Sequence, residues 1–256
     1  MSIMHVIILS VVFEAGFGAN MKESDYNVPT NLFFVGGGAI ITKNPYKGIG
    51  TESHGIPIIL YKTERFSLYG PRMSYSLFED DGWEIGGLAK VRFEGYEESD
   101  SRFLRGMDDR EWTLELGGSL SKNFTLGKLT ADFAADILNE HKGHEFRLSY
   151  SYDFRNILKI RALTVTPYIG VNYRSRQLND YYYGVRASEV IAGRPKHDVG
   201  DSTGLMAGIR MNYTLNQNLS LMGMISFEWL GDEIRNSPIV DEDHMESFLL
   251  GIIYRF

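Results

Sequence analysis

The chain has 256 residues, 43% of them hydrophobic and 23% charged, and this length fits one domain or two small ones. Cysteine is absent, which excludes a disulfide framework, a cysteine nucleophile, a cysteine metal site and a lipoprotein anchor. The net charge of −7 argues against a nucleic-acid partner, because phosphate binding needs clustered lysine and arginine.

The chain starts with a short apolar run that extends to Phe13. Such a run is too short for a stable membrane anchor, but it has the length of the apolar part of a secretion signal. Cleavage is expected near Gly18 or Ala19, although the residues before the run lack lysine and arginine. We therefore expect a signal peptide at 1–19 and a periplasmic N-terminal segment at 20–30. The alternative is a buried N-terminal strand or helix.

Hydrophobic and polar residues alternate through almost all of the remaining chain, which is typical of β-strands. Most of the alternating segments are longer than the ~5–6 residues of soluble strands and match the ~9–11 of a tilted membrane-spanning strand. The phase of the alternation changes near Gly70-Pro71, which indicates a β-bulge. In chain order the segments are 31–41, 56–62, 66–77, 83–93, 112–120, 129–137, 146–154, 163–173, 205–215, 219–229 and 248–256.

The predicted fold class is all-β: an antiparallel, transmembrane, up-and-down β-barrel formed by residues 31–256. Single-chain bacterial barrels have an even number of strands, whereas eleven segments are visible. We therefore expect one hidden strand within 42–55 or 20–30, giving twelve strands, with ten as the alternative. A large soluble barrel or sandwich is the competing fold.

The orientation of the barrel follows from placing Phe256 in the periplasm. Counting back from there puts the long segments 95–110, 174–202 and 231–246 outside the cell. The short connections at 78–82, 121–128 and 215–218 then lie in the periplasm. This agrees with the short periplasmic turns and long extracellular loops of outer-membrane barrels.

Charged residues collect on one face of the strands, and the other face is apolar. Lipid contact on the apolar face places the charges in the lumen. We expect ion pairs between neighbouring strands to fill a narrow lumen, so that any conductance is low and prefers cations. The predicted lumen charge network consists of Lys90, Arg92, Glu111, Glu115, Asp132, Asp136, Glu145, Arg147 and Arg210.

Few residues form a pattern that points to catalysis or metal binding. Asp132 and Asp136 are spaced four apart on one face, as are Glu111 and Glu115, and such pairs act either as acid and base or in ion pairs. The two histidines of the 141–144 segment have a spacing that is found in metal ligands, but the segment is better interpreted as a polar turn. No histidine is assigned to a lumen face. We therefore expect no catalytic residue, metal site or cofactor.

Five stretches together resemble the MipA/OmpV family of outer-membrane proteins over residues 31–256. They lie at 44–48, 100–110, 179–185, 232–240 and 251–256, and the most specific are two loop motifs. These are Tyr182-Tyr183-Gly184-Val185 and Ser237-Pro238-Ile239-Val240. The preceding run, Tyr181-Tyr182-Tyr183, would either bind a ligand or glycan or fold over the barrel mouth.

The resemblance implies a non-enzymatic scaffold or surface protein in the bacterial outer membrane. Family members are described as linking a murein transglycosylase and a murein synthase at that membrane. Lipid and lipopolysaccharide are the other expected partners. The alternative function is a narrow, cation-preferring channel for small solutes.

The C-terminal residues resemble the signal that outer-membrane barrels present to the barrel-assembly machinery. That signal is a strand of alternating apolar residues with a terminal phenylalanine. The residues concerned here are Phe248, Leu250, Ile252, Tyr254 and Phe256.

Overall fold

The computed structural model describes residues 31–256, so the predicted signal peptide at 1–19 and the segment at 20–30 lie outside the described residues. No helix in this range is long and apolar enough to cross a membrane. The elements in chain order are β1 (Leu32–Lys43), β2 (Thr51–Lys62), β3 (Phe66–Tyr69), β4 (Arg72–Asp80), β5 (Trp83–Arg92), β6 (Thr113–Phe124), β7 (Gly127–Asp136), β8 (His144–Ser151), β9 (Phe154–Arg155), β10 (Leu163–Arg174), α1 (Arg176–Tyr183), β11 (Ser202–Thr214), β12 (Leu219–Trp229), α2 (Asp232–Arg235) and β13 (His244–Arg255).

The strands form one closed antiparallel sheet. Strand β1 pairs with β13 from Phe34↔Arg255 to Lys43↔Glu246, which closes the wall. Strands β8 and β9 pair with successive parts of β10, so they act as one spanning strand with a break at 152–153. The wall therefore has twelve strands, and the predicted fold class and strand number are confirmed.

The position predicted for the twelfth strand was wrong. The segment 66–77 reverses at Gly70-Pro71 and forms the hairpin β3–β4, in which Tyr69 pairs with Arg72. Gly70 has a φ of +55°, which glycine adopts without a Cβ penalty. Residues 51–55 extend β2, and 20–30 lie outside the described residues. A tight reversal changes the phase of the alternation just as the predicted bulge would.

The two ends of the barrel differ in the length of their connections. One end, the short-turn end, carries 63–65, 81–82, 125–126, 156–162 and 215–218. The other, the long-loop end, carries 44–50, 93–112, 137–143, 175–201 and 230–243. The start of β1 and the end of β13 both lie at the short-turn end. Long and short connections alternate as the sequence predicted.

The outer surface of the wall is apolar and the charged side chains point inward. Ile209 on β11 and Leu250 on β13 are 42% and 55% exposed, whereas Arg92 and Glu115 are 1% and 0% exposed. A soluble barrel would show the reverse, with its apolar side chains buried. The predicted assignment of the two faces therefore agrees with the structure.

Part of the inner wall is also apolar, which the alternation did not predict. This apolar lumen cluster lies on β1, β2, β12 and β13, and its side chains are almost completely buried. The Ile58 side chain lies over glycines: a Cβ added at Gly251 would be 2.5 Å from Ile58 Cδ1. The cluster is thus a small hydrophobic core inside the barrel, formed by Ile40, Ile56, Ile58, Leu60, Met222, Met224, Leu249 and Ile253.

Candidate functional site: a capped lumen with a buried ion network

The upper lumen, near the long-loop end, contains a buried cluster of four bases and four carboxylates. Arg92 is its centre, because its guanidinium contacts three carboxylates. It donates to Glu115 (Nε–Oε1 2.7 Å) and to Glu94 (Nη1–Oε2 2.7 Å), and Nη2 donates to Glu145 at 2.9 Å. We call this cluster the lumen network: Lys90, Arg92, Glu94, Glu115, Glu145, Arg147, Arg174 and Glu228.

The remaining members of the lumen network extend it across the barrel. Lys90 Nζ lies 2.5 Å from Glu145. Arg174, at the end of β10, donates to Glu94 at 2.8 Å and to Glu228 at 2.7 Å. Every carboxylate of the network therefore contacts at least one base. Buried ions are tolerated when they are paired and hydrogen-bonded in this way. The network therefore links five strands across the lumen, namely β5, β6, β8, β10 and β12.

A histidine caps this network from the loop side, contrary to the expectation that no histidine faces the lumen. His141 is buried, and its Nε2 lies 3.0 Å from Glu115 Oε1. Asp136 positions the loop, because its carboxylate accepts the backbone N–H groups of His141 and Lys142 at 2.9 and 2.8 Å. His54 on β2 also points inward, as its buried Nε2 shows. Alternation could not reveal His141, because it lies outside a strand.

Not all predicted network residues come together. Glu111 lies before β6 and is exposed, so its placement in the lumen was wrong. Asp132 pairs instead with Arg72 on β4, at 3.1 Å. Arg210 lies lower in the lumen, with its guanidinium 5.0 Å from the centre of the Tyr168 ring. Asp132 and Asp136 therefore have different partners, and Glu111 lies outside the lumen that holds Glu115.

Besides His141, three members of the site were not predicted. The sequence pattern places Arg174 in the loop after β10, although it lies two residues after Asn172 and continues the lumen face of that strand. Arg72 stood next to the supposed bulge. The Tyr183 hydroxyl donates to Glu94 at 2.5 Å and so links a loop to the network. Extending the alternation by one pair of residues would have found Arg174, but nothing local signals the contact made by Tyr183.

The long loops fold together into a cap over the lumen. Their apolar side chains form a hydrophobic core of their own, in which Tyr46 stacks on Tyr183 with ring centres 5.3 Å apart. Tyr96 meets Tyr46 edge-on at 4.7 Å. The cap thus closes the long-loop end, and its buried core is Tyr46, Tyr96, Leu104, Met107, Leu178, Tyr182, Tyr183, Val185, Val199, Leu230, Ile234, Ile239 and Met245.

The two family motifs meet in the cap. Ser237 Oγ donates to the carbonyl of Tyr183 at 2.6 Å, which joins the two motifs directly. The Tyr182 hydroxyl donates to the carbonyl of Glu111 at 3.1 Å. Of the two readings of the tyrosine run, the structure shows the fold over the barrel mouth. All eight motif residues lie within this cap or at its edge: Tyr182, Tyr183, Gly184, Val185, Ser237, Pro238, Ile239 and Val240.

Two buried arginines tie the loops of the cap together. Arg110 Nη2 contacts both carboxylate oxygens of Glu189, at 2.9 and 3.1 Å. Arg194 is fully buried and donates to the backbone carbonyls of Phe103, Arg105 and Glu189. Charge-assisted bonds of this kind are stronger than neutral ones. They hold the 93–112 and 175–201 loops to each other.

Acidification will loosen the cap. Burial alone would raise the pKa of Glu189, but the Arg186 N–H and the Arg110 guanidinium outweigh it and hold the pKa below its ordinary value. Such a carboxylate stabilises the fold above its unfolded-state pKa, and that contribution is lost as pH falls through the folded-state pKa. Hydrogen-exchange protection of 186–197, corrected for intrinsic rates, should therefore fall below about pH 4.3. Unchanged protection, or the same fall in Glu189→Gln, would contradict this.

The predicted assembly residues share the lipid-facing side of β13. Phe248, Ile252 and Tyr254 are exposed on this side, and Phe256 is 74% exposed. The Phe256 ring lies 5.6 Å from Phe33 and 5.0 Å from Tyr254, at the short-turn end. These rings continue an aromatic belt of the kind that outer-membrane barrels carry at the membrane interface.

The chain matches the family described as MltA-interacting protein MipA over residues 35–256. It is 29% identical to the MltA-interacting protein of Escherichia coli (strain K12) over 227 residues, which cover 88% of this chain and 90% of that protein. It is also 29% identical to the outer membrane protein OmpV of Vibrio cholerae over 200 residues, covering 77% and 76%.

A solved outer membrane channel from Pseudomonas putida F1 superposes with a TM-score of 0.42 and 11% identity, covering 93% of this chain and 100% of that one. That TM-score is too low for the channel's pore to inform on this lumen. The family match covers nearly the whole described barrel and confirms the resemblance seen in the loop motifs. This chain is an outer-membrane β-barrel, and it belongs to the MltA-interacting protein family.

Proposed function

We propose that this protein is a non-enzymatic, closed scaffold of the outer membrane that binds a murein transglycosylase at its periplasmic end. The observation that carries the proposal is the obstructed lumen: a loop cap covers one end, and the lumen network lies directly beneath it. A barrel that does not conduct is suited to present a surface. The name of the E. coli relative, MltA-interacting protein, supports the choice of partner.

The short-turn end is the periplasmic end in this proposal, because outer-membrane barrels have short periplasmic turns and long extracellular loops. Its longest connection is 156–162, which follows the broken strand β8–β9. Arg155, Lys159 and Arg161 are exposed there, so this connection is basic. It therefore offers a docking surface for an acidic patch on a periplasmic partner, and complementary charge speeds such encounters.

A retention experiment tests the partner. A membrane-bound lytic transglycosylase coupled to beads should retain the barrel from detergent-solubilised membranes. Reversing the charge of Arg155, Lys159 and Arg161 to glutamate should weaken retention and make it less sensitive to salt. Reversing Arg102 and Arg105 in the cap, at the opposite end, is the matched control and should change nothing. Retention that is absent, or equally lost in both variants, would contradict the proposal.

The channel alternative is separated from the scaffold by conductance. The lumen network contains four bases and four carboxylates. It therefore has no excess of negative charge that would favour the passage of cations. The purified barrel in a planar bilayer should show low conductance. Large, stable, cation-selective channels would replace the scaffold with the channel.

We also infer that the lipid-facing side of β13 serves as the assembly signal. Phe256→Ala should lower the amount of heat-modifiable, membrane-inserted protein, because the terminal ring and its neighbours then no longer form the alternating apolar pattern. Leu215→Ala is the control, since Leu215 is also an exposed apolar residue at the short-turn end. An unchanged yield for Phe256→Ala, or equal losses in both, would exclude the role.

A further inference from the structure

In the part of the chain that the structure describes, the closed barrel wall has a gap beside β2. Strand β3 has only four residues, and its last pair with β2 is Tyr69↔Leu60. The Gly70 N–H still donates to Ile59 O at 3.1 Å, and above this point the hairpin has turned away. Within residues 31–256, no strand pairs with 51–58 on this side. About 25 Å of strand therefore has a free edge.

This free edge lies within the apolar belt of the barrel. The strand registers place Gly55 beside Ala39, which lies beside the lipid-facing Leu250. They likewise place Ser53 beside Ile41 and Phe248. Leu250 and Phe248 are 55% and 43% exposed. The gap beside β2 therefore lies at the level of the lipid and not above the membrane.

The gap has a complete frame, so it is a window. The Gly70-Pro71 turn forms its lower border, and the Pro71 carbonyl accepts the Val91 N–H at 3.0 Å on the β5 side. Above it, the loops that follow β1 and β5 meet: Ser101 Oγ donates to Lys47 O at 2.8 Å, and Lys47 Nζ lies over the Phe103 ring. With the long loops outside the cell, this window faces the outer leaflet.

The residues on the β2 border suit an open edge. Backbone groups alternate in direction along a strand, so those of Ser53, Gly55 and Pro57 point the same way as the Ile59 carbonyl, into the window. Pro57 has no N–H to leave unpaired, and proline within sheets is confined to such edges and bulges. A Cβ added at Gly55 would meet nothing within 4 Å. Pro57 therefore removes one backbone donor from this border, while Ser53 and Gly55 each present an N–H and a carbonyl group to the window.

Apolar side chains lie directly behind the window. Ile56 and Ile58 point inward from β2 as members of the apolar lumen cluster. Phe93 lies directly after β5, where the alternation of that strand would point its side chain toward lipid. Its ring nevertheless packs against the apolar lumen cluster. Its ring must therefore turn inward at the window, whereas Tyr69, beside the inward-pointing Leu60, contacts the cluster from the lumen side. Met222 and Met224 complete the far side, and methionine adapts readily to different apolar shapes.

We propose that this window is a lateral entry for an acyl chain of the outer leaflet, which binds against the apolar lumen cluster when the Phe93 ring swings aside. Lipid is the neighbour on the outside, and the surface behind the ring is hydrocarbon-like. Arg92 and Glu94 of the lumen network flank Phe93 on the β5 side, whereas the apolar lumen cluster lies on the β2 side, where an entering acyl chain would contact it. The inference stands apart from the scaffold role.

Site-resolved labelling tests the window, because the natural chain has no cysteine. Ile58→Cys places a thiol behind the window. Leu249→Cys places one in the same cluster behind the closed β13 wall, and both native side chains are fully buried. Ile252→Cys on the lipid face sets the maximal rate. Each barrel is reconstituted in phospholipid vesicles and exposed to a long-chain alkyl maleimide, and modification is read by intact mass after heat-modifiability confirms folding.

The thiol of Ile58→Cys should react about tenfold faster than that of Leu249→Cys, which corresponds to a barrier lower by ~1.4 kcal/mol. Adding Phe93→Ala should raise the first rate toward that of Ile252→Cys and leave the second unchanged. Equal rates at positions 58 and 249, or an equal rise at both, would overturn the window. Faster reaction of Ile58→Cys with a charged, water-soluble maleimide than with the alkyl reagent would overturn the acyl chain as its occupant.

Discussion

Replacing Arg92 with alanine should destabilise the folded barrel by about 3–5 kcal/mol, the cost of breaking a buried ion pair. The guanidinium contacts Glu94, Glu115 and Glu145, all of which are buried. Without it, three carboxylates remain in the upper lumen with fewer bases to compensate them. The loss reflects those uncompensated charges more than the net attraction of the pairs.

A denaturant titration of the barrel in lipid vesicles measures this loss. Lys122→Ala is the matched control, because Lys122 pairs with the exposed Asp81 at the short-turn end and such pairs contribute little. Adding Glu145→Gln to Arg92→Ala should restore part of the stability by removing one of the stranded charges. If Arg92→Ala and Lys122→Ala unfold alike, the lumen network does not stabilise the barrel.

Ile209→Arg should cost about 2–4 kcal/mol, the range for a basic residue facing lipid near the bilayer midplane. Ile209 lies in the middle of β11, pairs with Ile225 and is exposed on the outer surface. An arginine there would meet hydrocarbon, and its side chain could reach water only by extending far along the wall.

Asn212→Arg on the same strand is the control. Asn212 points into the lumen, where its Oδ1 is buried without a hydrogen-bond partner among the described residues. An arginine there would lie among polar groups and should cost much less than Ile209→Arg. Equal losses from the two substitutions would contradict the assignment of Ile209 to lipid and Asn212 to the lumen.

The sequence could predict the architecture because a membrane barrel repeats one simple rule along every strand. Alternation assigned Ile209 and Leu250 to lipid and Arg92 to the lumen, since consecutive side chains point to opposite faces. It could not locate the twelfth strand, because the reversal at Gly70 produces the same change of phase as a bulge. The number of strands could therefore be predicted more accurately than the position of each strand.

The limits of the site were harder to predict, for a related reason. Alternation has no signal where a strand ends, so it places Glu111 inside the lumen and Arg174 outside it, whereas β6 begins at Thr113 and β10 ends at Arg174. His141 and Tyr183 reach the network from loops whose paths depend on contacts between distant parts of the chain. The apolar lumen cluster escaped because Ile58 and Leu249 stand where a polar lumen face was assumed.

The seam between β1 and β13 has a consequence for folding kinetics. Its register joins Phe34 to Arg255, residues about 220 positions apart, whereas the other strands pair with near neighbours. Contacts of such sequence separation form slowly, because a long loop must close before they add any stability. Hairpins can form early, but β1 keeps an unpaired edge until β13 has docked, and free edges favour aggregation. Closure of this one seam is therefore expected to limit the rate of folding, and β1 needs protection until it is complete.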